Sequence, residues 1–485
     1  MHSLITAVSL ALVPQPQEVS VADGTVACPE ETIVRAVSSF EKDAALPEEG
    51  YRLSVSKDGV RIAAADEAGA FYAGQTLRQL ADGSGTVPCV KISDAPKFPW
   101  RGVLLDDSRH FFGKDAVKRT IDLMASFKMN VLHWHLTDDQ GWRVQIDAYP
   151  ELTRTGATRP APDYSVWIRD LKPGTYGPFF YTKADIREIV AYAAERHVTI
   201  VPEIELPGHV AAALAAYPEF ACRPENLAHR HPRLGWGIAK DVLCLGNDKA
   251  VKFMEDVLDY VCRIFPGPYV HIGGDECPRV RWKDCPKCQK RIADEGLRDA
   301  EALQPWITRH FVKFLEARGK RAVGWDEYLN GEVPTSAIGM SWRTPGQGTG
   351  DMPILSSADA AARGHDMVTV THNFTYFCYG QGLKDDPFYG RNWGKITLEK
   401  AYSFDPCLGV PANLRGRILG GQCCNWSEQT LSPQELQWKM WPRTCAIAEV
   451  LWLGDKKPGF ADFRSRMKIH RDRLIAQFVN CATVE

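Results

Sequence analysis

Eight short apolar runs recur along this chain, and each ends in polar residues that a buried strand would not choose. The runs lie near 102–106, 130–136, 198–204, 269–273, 321–325, 337–341, 367–371 and 417–423. Helical patterns fall between most of them, at 114–128, 183–197, 247–264, 301–318 and 432–450. Thr182 followed by Asp185 has the spacing of a capping box opening one of these helices. Strand and helix alternating eight times over this length predicts an α/β fold, a (β/α)8 TIM barrel with long loop insertions. A doubly wound open sheet would carry a glycine-rich phosphate loop after its first strand. Asp106-Asp107-Ser108-Arg109-His110 is not one.

Residues 1–97 read as a separate small N-terminal α+β domain, with 98–485 forming the barrel and its C-terminal helices. Tyr51, Leu53 and Val55 alternate with polar residues, and Asp58-Gly59 turns the chain into Val60, Ile62 and Ala64. That pairing is a hairpin signal, because the tight turn requires positive φ. An apolar stripe at Phe71, Leu77 and Leu80 then predicts a helix. The apolar stretch at 4–13 reads as a first strand rather than a signal peptide, since no Lys or Arg precedes it. Export and cytoplasmic residence both stay open.

Composition narrows the function. The 58 basic residues nearly balance 60 acidic ones, and there is no basic run, which argues against nucleic acid as a partner. No apolar run approaches the roughly 20 residues of a bilayer span. In a barrel, catalytic groups sit at the C-terminal ends of strands. Here those ends carry Arg109; His133, His135, Asp138 and Asp139; Glu203, Glu205 and His209; Asp275 and Glu276; Trp325; Trp342; Tyr376; and Trp426 with Glu428. Carboxylates walled by tryptophan suit glycoside hydrolysis, in which an acid protonates the leaving oxygen and an anion supports an oxocarbenium-like transition state. Neighbours on a regular strand point to opposite faces, so Asp275 and Glu276 share one pocket only if Gly273-Gly274 lets the backbone leave strand geometry. A rival metal-hydrolase reading uses His133 and His135, at i and i+2 on one strand face. Such histidines also serve as buried hydrogen-bond partners of carboxylates.

The segments Arg101–Phe112, His133-Trp134-His135-Leu136-Thr137-Asp138-Asp139, Pro202–His209 and His271-Ile272-Gly273-Gly274-Asp275-Glu276 together resemble family-20 glycoside hydrolases, the exo-acting β-N-acetylhexosaminidases. The resemblance spans the barrel, and the N-terminal unit is similar to the α/β domain preceding it in that family. It implies hydrolysis of terminal, non-reducing β-linked N-acetylglucosamine or N-acetylgalactosamine from glycans, without cofactor or catalytic metal. It also implies a retaining mechanism in which the substrate's 2-acetamido oxygen is the nucleophile and an oxazolinium forms. Glu276 is then the acid/base, needing a raised pKa. Asp275 orients the acetamido N–H, and Tyr376 binds the acetamido oxygen. Trp325, Trp342 and Trp426 enclose the sugar, while Arg109 and Glu428 take its hydroxyls. Asp138 and His209 support the acid/base pair from behind. An inactive amino-sugar-binding relative and a disaccharide-releasing member are the alternatives.

Two features depart from the family pattern, Cys378 and the unusual segment Gly421-Gln422-Cys423-Cys424-Asn425 before Trp426, although Trp426-Ser427-Glu428 is intact. Cys378 stands where relatives commonly have an Asp that contacts the terminal sugar, which leaves the gluco/galacto preference open. Tyr379 also competes with Tyr376 as the site tyrosine. Cys285-Pro286-Lys287-Cys288, with Cys277 close by, reads as a structural disulfide or free thiols, because three thiolates fall one short of a tetrahedral zinc set. Cys222 and Cys244 bracket another insertion and are candidates to pair if the protein is exported.

Overall fold

A computed structural model describes residues 10–81, 83, 85–161, 174–228, 230–343, 355–384, 386–388 and 391–485. Its centre is a closed barrel of parallel strands: Trp100–Asp106, Val131–His135, Thr199–Glu203, Tyr269–His271, Arg321–Trp325, Ile338–Ser341, Asp366–Thr369 and Ile418–Asn425. The eighth strand pairs with the first, Asn425 opposite Leu105, so no edge remains exposed. These are the eight apolar runs of the sequence, and closure excludes the doubly wound sheet. Their residues are buried on both faces, as a sheet wrapped by helices requires.

The helices begin where the sequence signals them. Thr182 caps Lys183–Ala194, and a reciprocal bond from Asp185 completes the capping box. Asp248–Ile264 and Leu303–Glu316 present apolar stripes to the barrel. The helix expected over 432–450 is instead two, Pro433–Met440 and Arg443–Leu453. Pro442 separates them, because a proline inside a helix removes a hydrogen bond and clashes with the preceding turn.

The N-terminal unit is a five-stranded sheet with Glu30–Ser38 and Glu67–Ala81 packed on it. Tyr51–Ser56 and Gly59–Ala64 form the expected hairpin, with Gly59 at φ 118°. The strand expected at 4–13 is not seen where it can be assessed: residues 10–13 lie outside any strand, and 1–9 lie outside the described residues. The first strand is Glu18–Ala27. Asp94, at the end of this sheet, is buried and accepts from Lys128, Tyr51 and Trp452 at 2.8–3.0 Å. Arg101 pairs with Glu49 at 2.6 Å and lies over the Trp452 ring. The sheet is thereby fastened to the base of the barrel by buried charge pairs as well as by apolar packing.

Candidate active site

Glu203 ends the third strand inside the barrel and organises the site from below. It is fully buried and bonded to His135 Nδ1, to His271 Nδ1 at 2.8 Å and to Trp325 Nε1 at 2.8 Å, with His133 Nε2 at 3.0 Å. Burial opposes its charge, but the three imidazoles more than compensate and hold the carboxyl well below its ordinary value. His133 and His135 do share one face, as the i, i+2 spacing predicts. Both are turned to this carboxylate. Burial pushes His133 down to about 4, whereas Glu203 and Asp138 outweigh burial at His135 and raise it to about 10.

Above this floor sits Asp138, which is also buried. It accepts from Arg109 Nη2 at 2.6 Å, from His135 Nε2 at 2.8 Å, and faces His209 Nδ1 at 3.3 Å. The far nitrogen of His209 stands 3.4 Å from Glu276 and 3.7 Å from Asp275. Asp138, His209 and the carboxylate pair therefore form one line. Against the cost of burial, Asp138, Asp139 and Glu276 raise the His209 pKa well above its usual value.

The fourth strand stops at His271, and the backbone then leaves strand geometry. Gly273, Gly274 and Glu276 have φ of 61°, 96° and 46°. A side chain at Gly273 would collide with Glu205, and one at Gly274 with Tyr328 Cβ at 2.6 Å. This departure lets both Asp275 and Glu276 reach His209. Their protonation differs. Burial, Glu327 and Glu276 push Asp275 up to about 7. Burial would raise Glu276 too, but the His209 hydrogen bond and charge, with Arg109, hold it below its ordinary value. The raised acid expected at Glu276 is thus at Asp275.

An aromatic box closes the other side. Trp426 lies 5.7 Å from Trp325 and 6.0 Å from Tyr376, and Trp342 stacks on Tyr376 at 6.5 Å and 13°. Tyr376 pairs with Cys424 of the eighth strand through an isolated bridge, which carries its ring to Trp426. Tyr379 turns away, its hydroxyl 3.2 Å from His372 Nδ1, which separates the two tyrosines the sequence left competing. Arg109 lies over Trp426 and is gripped by Asp106, Asp138 and Gln140. Glu428 is close enough to help raise the Arg109 pKa. Cys378 is buried at 1% exposure, near Arg443 and Lys439.

All ten sequence-predicted residues thus gather at the C-terminal end of the barrel. Sequence reasoning gave no role to Glu203, Glu205 or Glu327. Glu205 is buried with neither oxygen bonded, and burial followed by Asp275 pushes its pKa well up. Glu327 accepts from Trp342 Nε1 at 3.1 Å and bears on Asp275. The signal available was Glu203-Ile204-Glu205, two acids astride a strand end.

The profile described as Glycosyl hydrolase family 20, catalytic domain, matches residues 98–455, and that family's domain 2 matches 35–95. The β-hexosaminidase of Porphyromonas gingivalis is 42% identical over 88% of this chain, and that of Akkermansia muciniphila is 31% identical over 96% of it. The chain covers 91% of the Akkermansia protein but spans only 54% of the Porphyromonas one and 65% of a Vibrio furnissii β-hexosaminidase. A Vibrio harveyi GH20 exo-β-N-acetylglucosaminidase, solved with N-acetylglucosamine, superposes with a TM-score of 0.86 at 31% identity, over 98% of this chain and 79% of that one. The GH20 β-N-acetylhexosaminidase of Streptomyces coelicolor A3(2) gives 0.78 at 27% identity, over 97% of each chain. With its barrel and its preceding sheet domain both matched, the chain belongs to glycosyl hydrolase family 20.

Proposed function

We propose that the protein is an exo-β-N-acetylhexosaminidase that removes terminal β-linked N-acetylglucosamine or N-acetylgalactosamine from glycans, with retention and with assistance from the substrate's acetamido group. The carrying observation is the convergence of Asp275, Glu276 and His209 beside the tryptophan box. In this reading residues 98–485 are the catalytic unit and 1–97 its supporting domain.

Glu276 protonates the glycosidic oxygen and later deprotonates the attacking water. Asp275, ionised, accepts from the acetamido N–H and steadies the positive charge that develops as the carbonyl oxygen attacks the anomeric carbon. Tyr376 donates to that oxygen. Trp325, Trp342 and Trp426 wall the sugar, and Arg109 and Glu428 bind its hydroxyls. Productive chemistry needs one proton on the carboxylate pair, located on Glu276. Burial and the charges of Glu327 and Glu276 raise the proton affinity of Asp275, so an acetamido N–H arriving at Asp275 favours the proton on the acid. Glu205, whose burial favours the proton, and Glu203, whose three imidazoles favour the charge, sit beneath as fixed members of the site.

The test is hydrolysis of p-nitrophenyl β-N-acetylglucosaminide, β-N-acetylgalactosaminide and plain β-glucoside by wild type and Glu276→Gln. The expected result is cleavage of the acetamido sugars alone, reduced about 10²–10⁴-fold in the variant, the range of a positioned acid/base. Comparable turnover of the plain glucoside would overturn substrate assistance. Failure on all three substrates, with release of a disaccharide from a longer one, would replace the exo-monosaccharide reading.

A further inference from the structure

The cysteines that the sequence left in separate pairs meet in one place. Cys222 follows the turn Pro218–Phe220, Cys244 precedes the helix Asp248–Ile264, and Cys285 and Cys288 flank the start of the helix Pro286–Asp294. Their four sulfurs lie within 4.8 Å of one another. Three of the separations, Cys222–Cys288, Cys244–Cys285 and Cys244–Cys288, are each 3.8 Å. A disulfide requires about 2.05 Å, and none joins any of the fourteen cysteines. A tetrahedron with metal–sulfur bonds of about 2.3 Å has edges of about 3.8 Å.

We propose that Cys222, Cys244, Cys285 and Cys288 form a structural zinc site, tying the loop after the third barrel strand to the loop that carries Asp275 and Glu276. The surroundings are built for it. An isolated antiparallel bridge pairs Ala221 with Leu243 and sets Cys222 beside Cys244, whose N–H donates to Phe220 O at 2.9 Å. Gly246 presses on Lys287 and Cys288, where any side chain would strike backbone, and its N–H is directed at the Cys244 and Cys288 sulfurs. Cys285 is the N-cap of its helix, and Cys288 lies in the first turn. The positive end of the helix dipole therefore faces the thiolates. Three of the four residues are buried, and Cys222 is half-buried at the rim. Four equivalent soft ligands in a closed shell suit zinc as a structural ion, with no position open for catalysis.

Binding displaces four thiol protons to solvent and leaves a site of net charge −2, which the helix terminus and the Gly246 N–H partly offset. The consequence reaches the active site. One tied loop presents His209, and the other begins at Gly273 and presents Asp275 and Glu276. Cys277, next to Glu276, packs against Gly208 at 3.2 Å from the position of a Cβ there. Zinc would therefore hold the His209–Glu276 approach from outside the sugar pocket.

The experiment is elemental analysis of the full chain, purified without chelator, with readouts that do not use hydrolysis. The expected result is about one zinc per chain, released as a mercurial titrates four thiols. Replacement by Co2+ should give thiolate-to-cobalt charge-transfer absorption and tetrahedral ligand-field bands. Prolonged chelation should lower the melting temperature, with recovery on adding zinc but not magnesium. Cys285→Ser should lower zinc affinity at least tenfold, on the scale of losing a shell contact. Should that variant not fold, Cys222→Ser at the rim gives the same readout. Failure to retain zinc after incubation with equimolar zinc, a mass deficit indicating a disulfide among the four, or stoichiometric iron would each overturn the assignment. These outcomes are independent of whether the proposed glycosidase reading holds.

Discussion

Asp275 has the proton affinity that the chemistry asks of its neighbour Glu276, and the cause is visible in its surroundings. Glu327 and Glu276 add negative charge beside a buried carboxyl, whereas Glu276 faces the His209 ring more closely. With Asp275 pushed up to about 7, the pair is expected to lose its proton near that pH. The alkaline limb of the kcat/KM profile should therefore fall with an apparent pKa near 7, since the acid form is gone once that proton leaves. Glu327→Gln removes a charge that raises Asp275 but keeps an acceptor for Trp342 Nε1. Its alkaline limb should move to lower pH, and a pH–rate series on both proteins measures the shift. An unmoved or upward-moved limb would sink this account. The residue types here were legible in the sequence; their protonation was not, because each pKa depends on groups 50 or more positions away in the chain.

At the scale of single elements, local rules carried far. The capping box at Thr182, the Asp58-Gly59 hairpin and the eight barrel strands needed only propensity, turn chemistry and periodicity. The stretch 432–450 reads as one helix although Pro442 stands inside it, since an apolar stripe on either side of a break looks continuous. The turn after the fourth strand is the element on which the site depends. Gly274→Ala would place a Cβ at φ 96° and 2.6 Å from Tyr328 Cβ. The expected cost is about 2–4 kcal/mol of stability, from backbone strain plus overpacking. Displacement of Asp275 should also lower kcat/KM at temperatures where the variant is folded. Chemical denaturation and steady-state kinetics test the two effects separately. A variant as stable and as active as wild type would show that the turn tolerates strand-like geometry.

Across the whole molecule, buried polar groups join the N-terminal sheet to the barrel. Asp94 accepts from Lys128, Tyr51 and Trp452, three groups from three parts of the chain. Asp94→Ala leaves a buried ammonium without its counter-charge and should cost about 3–5 kcal/mol. Far from the sugar pocket, it should leave kcat within about twofold below the transition, as expected of additive, distant sites. Equilibrium unfolding and kinetics at low temperature check both halves, and loss of less than about 1 kcal/mol would mean the charge is already solvated. Alternation of strand and helix, and the kinds of side chain at each strand end, were determined by the sequence itself, because both follow from short-range periodicity and from where a barrel puts its strand termini. Tertiary structure alone decided which of those side chains meet: that Glu203 gathers three histidines, that Asp275 is pushed up while Glu276 is held down, and that four cysteines spread over 67 positions bring their sulfurs within 4.8 Å of one another. Contacts between residues so far apart in the chain are set by how the loops fold back over the barrel, and no local pattern encodes them.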